Sequence, residues 1–196
     1  MKCNCIKIIV SIILFSFSIV VFAQKEEVKQ DEILFYEAIQ PLTAISEYDI
    51  VKRFNKTDSL FLTTTKQKLV KVAQESLIKL SQIIQNYPKS KYVFMALYEK
   101  GMLEFYTNDY TNAKITLSKV YELNTNYNQN NYRREALKRL ITISKSEKDY
   151  KQTINYLEML TNKSLYTCGS DYENDQKFSE TIKELCEKEL AKQIKN

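Results

Sequence analysis

The sequence predicts an all-α fold from three observations. Glycine and proline occur only twice each in 196 residues, whereas sheet-rich folds need both at many tight turns. Apolar residues recur at steps of three and four, which is the period of one helix face. Hydrophobic residues make up 44% and charged residues 27% of the chain, as in folded, soluble proteins. We therefore expect a core built from helices, of about one domain's size.

The first element is an amino-terminal leader, residues 1–23. Lys2 and Lys7 precede an apolar run of about 16 residues that ends at Ala23, and this three-part form is typical of a secretory signal cleaved before Gln24. The run is shorter than the roughly 20 residues that span a membrane. We expect an exported protein, periplasmic or extracellular after cleavage, with membrane contact only if the leader is retained as an anchor.

Residues 24–58 are expected to hold short amino-terminal helices. A helical stripe is formed by Ile33, Leu34, Ala38 and Ile39, and Pro41 either ends this helix or starts the next segment. Leu42 to Phe54 could form a second helix. The clearest periodicity comes next and predicts a long helix that Tyr87-Pro88 stops. Its apolar side is formed by Leu69, Val72, Ala73, Ser76, Leu80, Ile83, Ile84 and Tyr87.

Residues 92–160 predict two helix pairs. The first helix, Tyr92 to Tyr106, is apolar on nearly all sides. Asn108-Asp109 forms a turn, and the next helix carries Tyr110 to Tyr121. Asn124 to Asn131 is interpreted as a solvated loop. A helix from Tyr132, the turn Lys148-Asp149 and a helix from Tyr150 to Leu160 follow.

Residues 162–196 predict a loop, Asn162 to Asn174, and a terminal amphipathic helix. The apolar side of that helix is expected to carry Phe178, Ile182, Leu185, Leu190 and Ile194. Cys168 and Cys186 are the pair left after the leader and could form a disulfide in an oxidising compartment. The alternative is two free thiols, because Cys186 falls on the apolar side.

Residues 59–161 resemble a tetratricopeptide repeat array, whose unit of about 34 residues is a helix pair. The best copy carries Leu97, Gly101, Asp109, Tyr110, Ala113 and Leu117, and Tyr87-Pro88-Lys89-Ser90 resembles the exported bacterial branch. Ser76, Leu80 and Pro88 match the preceding unit, and Leu137, Tyr150 and Leu157 the following one. The resemblance implies stacked antiparallel helix pairs, with the last helix capping a short solenoid.

The match has departures from the family pattern. Lys100 and Glu104 occupy positions where the family prefers Leu and Tyr. Thr125 occupies a position where it prefers Pro, and Thr153 one where it prefers Ala. The resemblance also implies that Gly101 marks close contact within a helix pair, with Ala113 as its small counterpart.

By the same resemblance, first helices form a groove that binds a protein or peptide. Its expected lining is Met95, Tyr98, Met102, Phe105, Tyr106, Lys138, Thr142 and Lys145. An aromatic and methionine lining with a basic end suits an apolar helix or an extended acidic segment. The alternative is that several of these side chains simply pack against other helices.

Composition and motifs argue against catalysis, metals, cofactors and nucleic acid. The chain has no histidine, which removes the commonest general base and metal ligand. Glu173, Asp175 and Glu180 are expected to be solvated. The formal charge is +5, and the cluster Arg133-Arg134 with Lys138-Arg139 is interpreted as a solvated helix face, since nucleic-acid binding needs a broader basic stripe.

The function expected from sequence is a non-enzymatic exported adaptor that binds a protein partner at the cell envelope. One alternative is a protective immunity protein that binds an exported toxin. A carboxylate-only carbohydrate-processing enzyme is a further alternative, although no acidic pair is set among residues that would bury it.

Overall fold

The structure is a computed structural model that describes residues 30–42, 59–123 and 129–195. Every regular element in those residues is helical, which confirms the all-α prediction. The chain divides into two compact units, Met1–Val93 and Phe94–Asn196, and the division falls inside the predicted repeat region, residues 59–161. The leader and nearly all of the possible helix from Leu42 to Phe54 lie outside the described residues.

In the first unit, helix α1 covers residues 30–39 and a 3-10 turn, Gln40–Leu42, contains Pro41 and ends it. Helix α2 (Ser59–Asn86) is the long helix that the periodicity predicts. The two are joined by buried contact, because Ser76 Oγ donates a hydrogen bond of 2.8 Å to the Ala38 carbonyl. Ala73, Leu80 and Ile83 are buried on the same side of α2.

The described residues of the second unit form five consecutive helices. They are α3 (Val93–Tyr106), α4 (Tyr110–Glu122), α5 (Asn130–Ser146), α6 (Tyr150–Leu160) and α7 (Gly169–Lys195). From α4 onward, each helix packs against the next one in the sequence. A 3-10 turn, Lys163–Leu165, precedes α7 and also contacts α5.

The turns that close α3 and α5 are two copies of one structure. Asn108 and Lys148 both have positive φ, 63° and 60°. The next residue, Asp109 or Asp149, donates its backbone N–H to the carbonyl five residues earlier. Its carboxylate then accepts the N–H of Asn112 or Gln152. This is a Schellman ending followed at once by an N-cap, and it reverses the chain in three residues.

The buried positions of the two helix pairs also correspond at the same spacing, 40 residues from Asp109 to Asp149. Most positions buried in α3–α4 have a buried counterpart in α5–α6, whereas buried Met102 corresponds to exposed Thr142 and buried Thr116 to half-buried Tyr156. The matching pairs are Ala96 and Ala136, Leu97 and Leu137, Leu103 and Ile143, Ala113 and Thr153, Leu117 and Leu157, and Val120 and Leu160. The second unit therefore contains a duplicated helix-turn-helix.

Gly101 lies at the close approach within the first of these pairs. A Cβ added there would stand 2.7 Å from Leu117 Cδ2 and 2.8 Å from Leu117 Cγ, nearer than carbon atoms pack. Close contact was expected at Gly101, and its nearest neighbour is Leu117, not Ala113. Glycine is needed at this position because Leu117 is fully buried and has no other space.

Two predicted loops are shorter than the sequence suggested. Helix α5 begins at Asn130, where the Asn-rich loop was expected to continue, because Asn130 is buried and its Nδ2 donates 3.0 Å to the Ser164 carbonyl. Helix α7 begins at Gly169, inside the predicted loop from Asn162 to Asn174. Its first turns are held by contacts of Asp171 and Asp175 with Arg134.

The buried side of α7 differs from the predicted apolar stripe. Asp175, Ser179 and Cys186 are buried, whereas Phe178 is 40% and Leu185 48% exposed. The stripe was assigned from hydrophobicity, but polar contacts set the rotation of this helix. In the described residues, none of the helices has both the length and the apolar character of a membrane span.

Candidate functional site

Aromatic side chains of α3 meet α5 on one surface, here called the tyrosine face and defined by Tyr98, Phe105, Tyr106, Tyr132 and Arg139. The Tyr98 ring lies edge-on to Tyr132, with centroids 4.9 Å apart. The Arg139 guanidinium lies over the Phe105 ring at 5.4 Å. Phe105 and Tyr106 form another edge contact, and Tyr106 is 47% exposed. The face thus combines packed rings with one largely open ring.

Electrostatics at the face favour a neutral Tyr98 hydroxyl. Partial burial, followed by the negative charges of Glu99 and Glu135, raises the pKa of Tyr98 to about 12, while Arg139 opposes this shift. The hydroxyl is therefore a hydrogen-bond donor throughout the physiological range.

The structure brings together only part of the predicted groove. Tyr98, Phe105 and Tyr106 lie on the tyrosine face as described, and Met95 is half-buried. Met102 is buried and offers little surface, so for this residue packing against neighbouring helices is the better interpretation. Thr142 and Lys145 are exposed, and the Thr142 hydroxyl donates to the Lys138 carbonyl at 2.9 Å.

Lys138 is not the free basic end that the sequence suggested. Its Nζ lies 3.0 Å from Asp175 Oδ1 and 3.1 Å from Glu135 Oε1. Hydrogen bonds to these carboxylates outweigh desolvation and raise the pKa of Lys138. A bound acidic segment would have to displace Asp175, which is itself buried.

The basic cluster on α5 is not a solvated helix face, and the prediction was wrong in that respect. Arg134 is buried, lies over the Tyr166 ring at 4.6 Å and pairs with Asp171 at 3.1 Å. Arg133 Nε donates 2.9 Å to the Tyr121 carbonyl. The planar guanidinium of arginine stacks on aromatic rings and donates hydrogen bonds in several directions. A count of positive charges that treats arginine like lysine does not predict these contacts.

Asp175 is the centre of this network, and its prediction as a solvated carboxylate was also wrong. It is 7% exposed. Besides Lys138, it lies 3.6 Å from Arg134 Nη1 and 3.1 Å from the Tyr166 hydroxyl. Burial and the charge of Asp175 raise the pKa of Tyr166. The network fastens the start of α7 to α5.

The family departures at Glu104 and Thr153 are compensated locally. Glu104 is buried and pairs with Lys100 one turn earlier on α3. Thr153 Oγ1 lies 2.9 Å from Ser144 Oγ, the residue that corresponds to Glu104 in the second copy. In the second copy, the change at Thr153 on α6 is therefore matched by Ser144 on α5, whereas in the first copy the partner of Glu104 lies on the same helix.

Cys168 and Cys186 are both free, so the predicted disulfide is absent. Cys168 precedes α7, and Cys186 lies 17 residues into it. At about 1.5 Å per residue, this separates them by roughly 26 Å, whereas a disulfide needs Cα atoms within about 7 Å. Cys186 is buried, which raises its thiol pKa. Cys168 is exposed, and donors from Ser170 and Asp171 lower its thiol pKa.

Two clefts in the second unit lie between helices. One, about 200 Å³, is lined by side chains of α4, α5 and α6, including Tyr121, Tyr156 and Met159. The other, about 220 Å³, lies between α6 and α7. Within the described part of the chain, no three His, Cys, Asp or Glu side chains are grouped as a metal site.

Tyr132 and Arg139 belong to the site but were missed from the sequence. A signal was present, because Tyr132, Glu135 and Arg139 are spaced by three and four residues and so share one side of α5. Alignment with the family pattern had instead placed Lys138, Thr142 and Lys145 in the groove. These residues lie on a neighbouring side of the helix.

Comparison of the chain with protein-family models, with curated proteins and with solved structures finds no match in any of the three.

Proposed function

We propose that this chain is a non-enzymatic scaffold of the tetratricopeptide type that binds a protein or peptide partner through the tyrosine face. The observation that carries the proposal is the duplicated helix-turn-helix, with the same turn in both copies and mostly matching buried positions 40 residues apart. Stacking of repeated helix pairs leaves their first helices side by side on one surface. In this chain those helices are α3 and α5.

The chemistry of the face supports a protein ligand. Tyrosine and arginine are the residues most enriched at the centres of protein interfaces, because they offer large contact area together with hydrogen bonds. Tyr106 is largely open, and the Tyr98 hydroxyl remains a donor. Since Lys138, Arg134 and Arg139 are each paired with a carboxylate, the attractive elements are the rings rather than a basic end.

Site-specific photo-cross-linking in the producing cell tests this proposal. A photoreactive phenylalanine analogue replaces Tyr106, and the matched control carries it at Ile115, which is 53% exposed on α4. We expect a discrete cross-linked partner from position 106, reduced at least fivefold by Tyr98→Ala. Equal adducts from both positions, or none from position 106, would contradict the proposal.

We also propose that the chain is exported and acts at the cell envelope, on the basis of the leader. The basic start, the apolar run and Ala23 support cleavage before Gln24. Amino-terminal sequencing of the protein recovered from the producing cell should begin at Gln24. Recovery of chains that begin at Met1 in the soluble cell interior would refute export.

A further inference from the structure

One side of α7 carries four exposed residues at intervals of seven, here called the α7 row and defined by Asp171, Phe178, Leu185 and Lys192. Seven residues are nearly two turns of helix, so these side chains lie almost in line along the helix. Phe178 is 40% and Leu185 48% exposed. The row therefore contains the apolar residues that the sequence assigned to the core and that the fold leaves at the surface.

The apolar part of the row is a continuous strip. Ile182 is half-buried and lies four residues after Phe178 and three before Leu185, which is the spacing of one helix side. Single exposed apolar side chains are ordinary, but the helix that ends a stack of repeated pairs is expected to have a polar outer face. This strip on α7 therefore favours a further element packed on it.

The two ends of the row carry opposite charges. Asp171 Oδ2 lies 3.1 Å from Arg134 Nη2, and Lys192 Nζ lies 2.6 Å from Glu189 Oε1. Both side chains are nevertheless largely exposed, Asp171 at 51% and Lys192 at 68%. A carboxylate accepts several hydrogen bonds and an ammonium donates three, so each end can take a second partner.

The order of these residues specifies what can cover the row. An occupant needs two apolar side chains, with a cation on the side of Asp171 and an anion on the side of Lys192. The α7 row itself has that order when its direction is reversed. It is therefore complementary to a second copy of itself in charge and in apolar contact.

We propose that a second copy of this chain packs on the α7 row, with the two α7 helices antiparallel. A two-fold axis midway between Phe178 and Leu185 brings Phe178 against the partner's Leu185 and Asp171 against the partner's Lys192. Each contact then occurs twice, as in any two-fold interface. Parallel helices would instead bring like charges together at both ends, which disfavours that orientation.

The size of this contact predicts a weak, reversible dimer. Helix α7 has 27 residues and is roughly 40 Å long. Contact through one helix of each protomer lies at the small end of specific interfaces, below about 1,200 Å² in total. The row shares no residue with the tyrosine face, so the dimer leaves the proposed partner surface free.

Sedimentation equilibrium of the protein recovered from the producing cell, over a range of concentrations, tests the proposal. We expect a monomer–dimer equilibrium that Leu185→Glu weakens at least tenfold and Lys192→Glu at least threefold. Ala191→Glu is the matched control, because Ala191 is exposed on α7 but lies outside the row; its dimerisation should be unchanged. A monomer at every concentration, or equal dimerisation by Leu185→Glu and the control, would overturn the proposal.

Disulfide trapping tests the antiparallel orientation. The chains carry Cys168→Ser, which removes the exposed thiol, together with either F178C or L185C. A mixture of the two chains should form cross-linked dimers upon oxidation, whereas each chain alone should form few. Equivalent positions would be seven residues apart along the helices, roughly 10 Å, and a disulfide needs Cα atoms within about 7 Å. Cross-linking of F178C chains with each other, to the same extent as in the mixture, would refute the antiparallel pair.

Discussion

At the scale of single residues, the repeated turns depend on two side chains held in the left-handed region. Asn108 tolerates positive φ because its short amide side chain can form a local hydrogen bond. Here its Oδ1 accepts a hydrogen bond of 3.0 Å from the Tyr110 hydroxyl. Lys148 occupies the same position in the second copy without that compensation. The second turn therefore stores strain that the first one reduces.

Replacing Lys148 with glycine should relieve this strain. Left-handed backbone costs a side-chain-bearing residue about 1–2 kcal/mol, and part of that gain is offset by the greater chain entropy of glycine. We expect Lys148→Gly to stabilise the second unit by about 0.5–1 kcal/mol in chemical denaturation. Lys188→Gly, at an exposed position inside α7, should instead lose about 1 kcal/mol; destabilisation by both would contradict this account.

The raised pKa of Tyr98 predicts a pH dependence. An ordinary tyrosine ionises near pH 10, whereas Tyr98 ionises at about 12 in the folded chain. Below pH 10 the hydroxyl is protonated in both folded and unfolded chains. Between pH 10 and about 12 only the unfolded chain releases this proton, so the stability from Tyr98 is lost as pH rises.

Tyr98→Phe should abolish this part of the alkaline loss of stability. In a spectrophotometric titration of the folded protein, the same substitution should remove one of the late-ionising tyrosines. A Tyr98→Phe titration curve that loses an ordinary tyrosine near pH 10 would refute the assignment.

At the scale of elements, contact between α3 and α4 depends on one missing side chain. Gly101 sits against buried Leu117, and the added Cβ of alanine would overlap two of its carbons. In an open helix, glycine to alanine gains about 1 kcal/mol. Here overpacking should reverse the sign, so helix propensity and helix packing oppose each other at this position.

A double-mutant cycle separates the two effects. Gly101→Ala alone should destabilise by about 1–3 kcal/mol, and Leu117→Ala alone by about 2–5 kcal/mol. In the Leu117→Ala background the clash is gone, so adding Gly101→Ala should stabilise by up to about 1 kcal/mol. Additive losses in chemical denaturation would show that the two residues are not in contact.

The attachment of α7 to α5 depends on the buried carboxylate of Asp175. Asp175→Ala removes one of the two carboxylate partners of Arg134, leaving Asp171, and one of the two partners of Lys138, leaving Glu135. Removal of one member of a buried ion pair typically costs about 3–5 kcal/mol. We expect amide hydrogens of the first turns of α7 to exchange much faster in Asp175→Ala.

Glu173→Ala is the control for this experiment, because Glu173 is exposed on the same turns of α7. Its amide exchange should match that of the unaltered protein. If Asp175→Ala exchanged no faster than Glu173→Ala, the network would not be what holds α7.

At the scale of the whole molecule, the cores of the two units are held together by different kinds of contact. The described part of the first unit is held by one helix pair with Ser76 bonded to Ala38, and the stacked rings of Phe35 and Tyr92 lie 4.8 Å apart. The second unit has a duplicated apolar core closed by a polar network at α7. We therefore expect chemical denaturation to show more than a single two-state transition.

The positions of the cysteines give a prediction for the intact chain. Cys168 is exposed with a lowered thiol pKa, so a thiol reagent should modify it rapidly in the native protein. Cys186 is buried in α7 and should react only after unfolding. Peptide mass spectrometry should find Cys168 modified in the native chain and both Cys168 and Cys186 modified in denaturant, with and without reductant; modification of Cys186 that depends on reductant would restore the disulfide hypothesis.

The sequence by itself determined the helical class, most ends of the central helices and the turn residues Asn108-Asp109 and Lys148-Asp149. These features are local: periodic apolar residues, Asp109 and Asp149 as caps, and Tyr87-Pro88 as a stop act within a few residues of chain. Burial of Leu117, Leu137 and Leu157 could likewise be predicted, because the same apolar period fixes which side of a helix faces the core.

Only the tertiary structure decided the rotation of α7, the pairing of Lys138 and Arg134, and the composition of the tyrosine face. Asp175 lies among charged and polar neighbours, so its sequence context resembles that of any exposed carboxylate. Its burial follows from Arg134, Lys138 and Tyr166, which lie on separate elements. Contacts between elements depend on distances and directions that a periodic pattern does not contain, and polar groups satisfied across such contacts can outweigh hydrophobicity in setting a helix face.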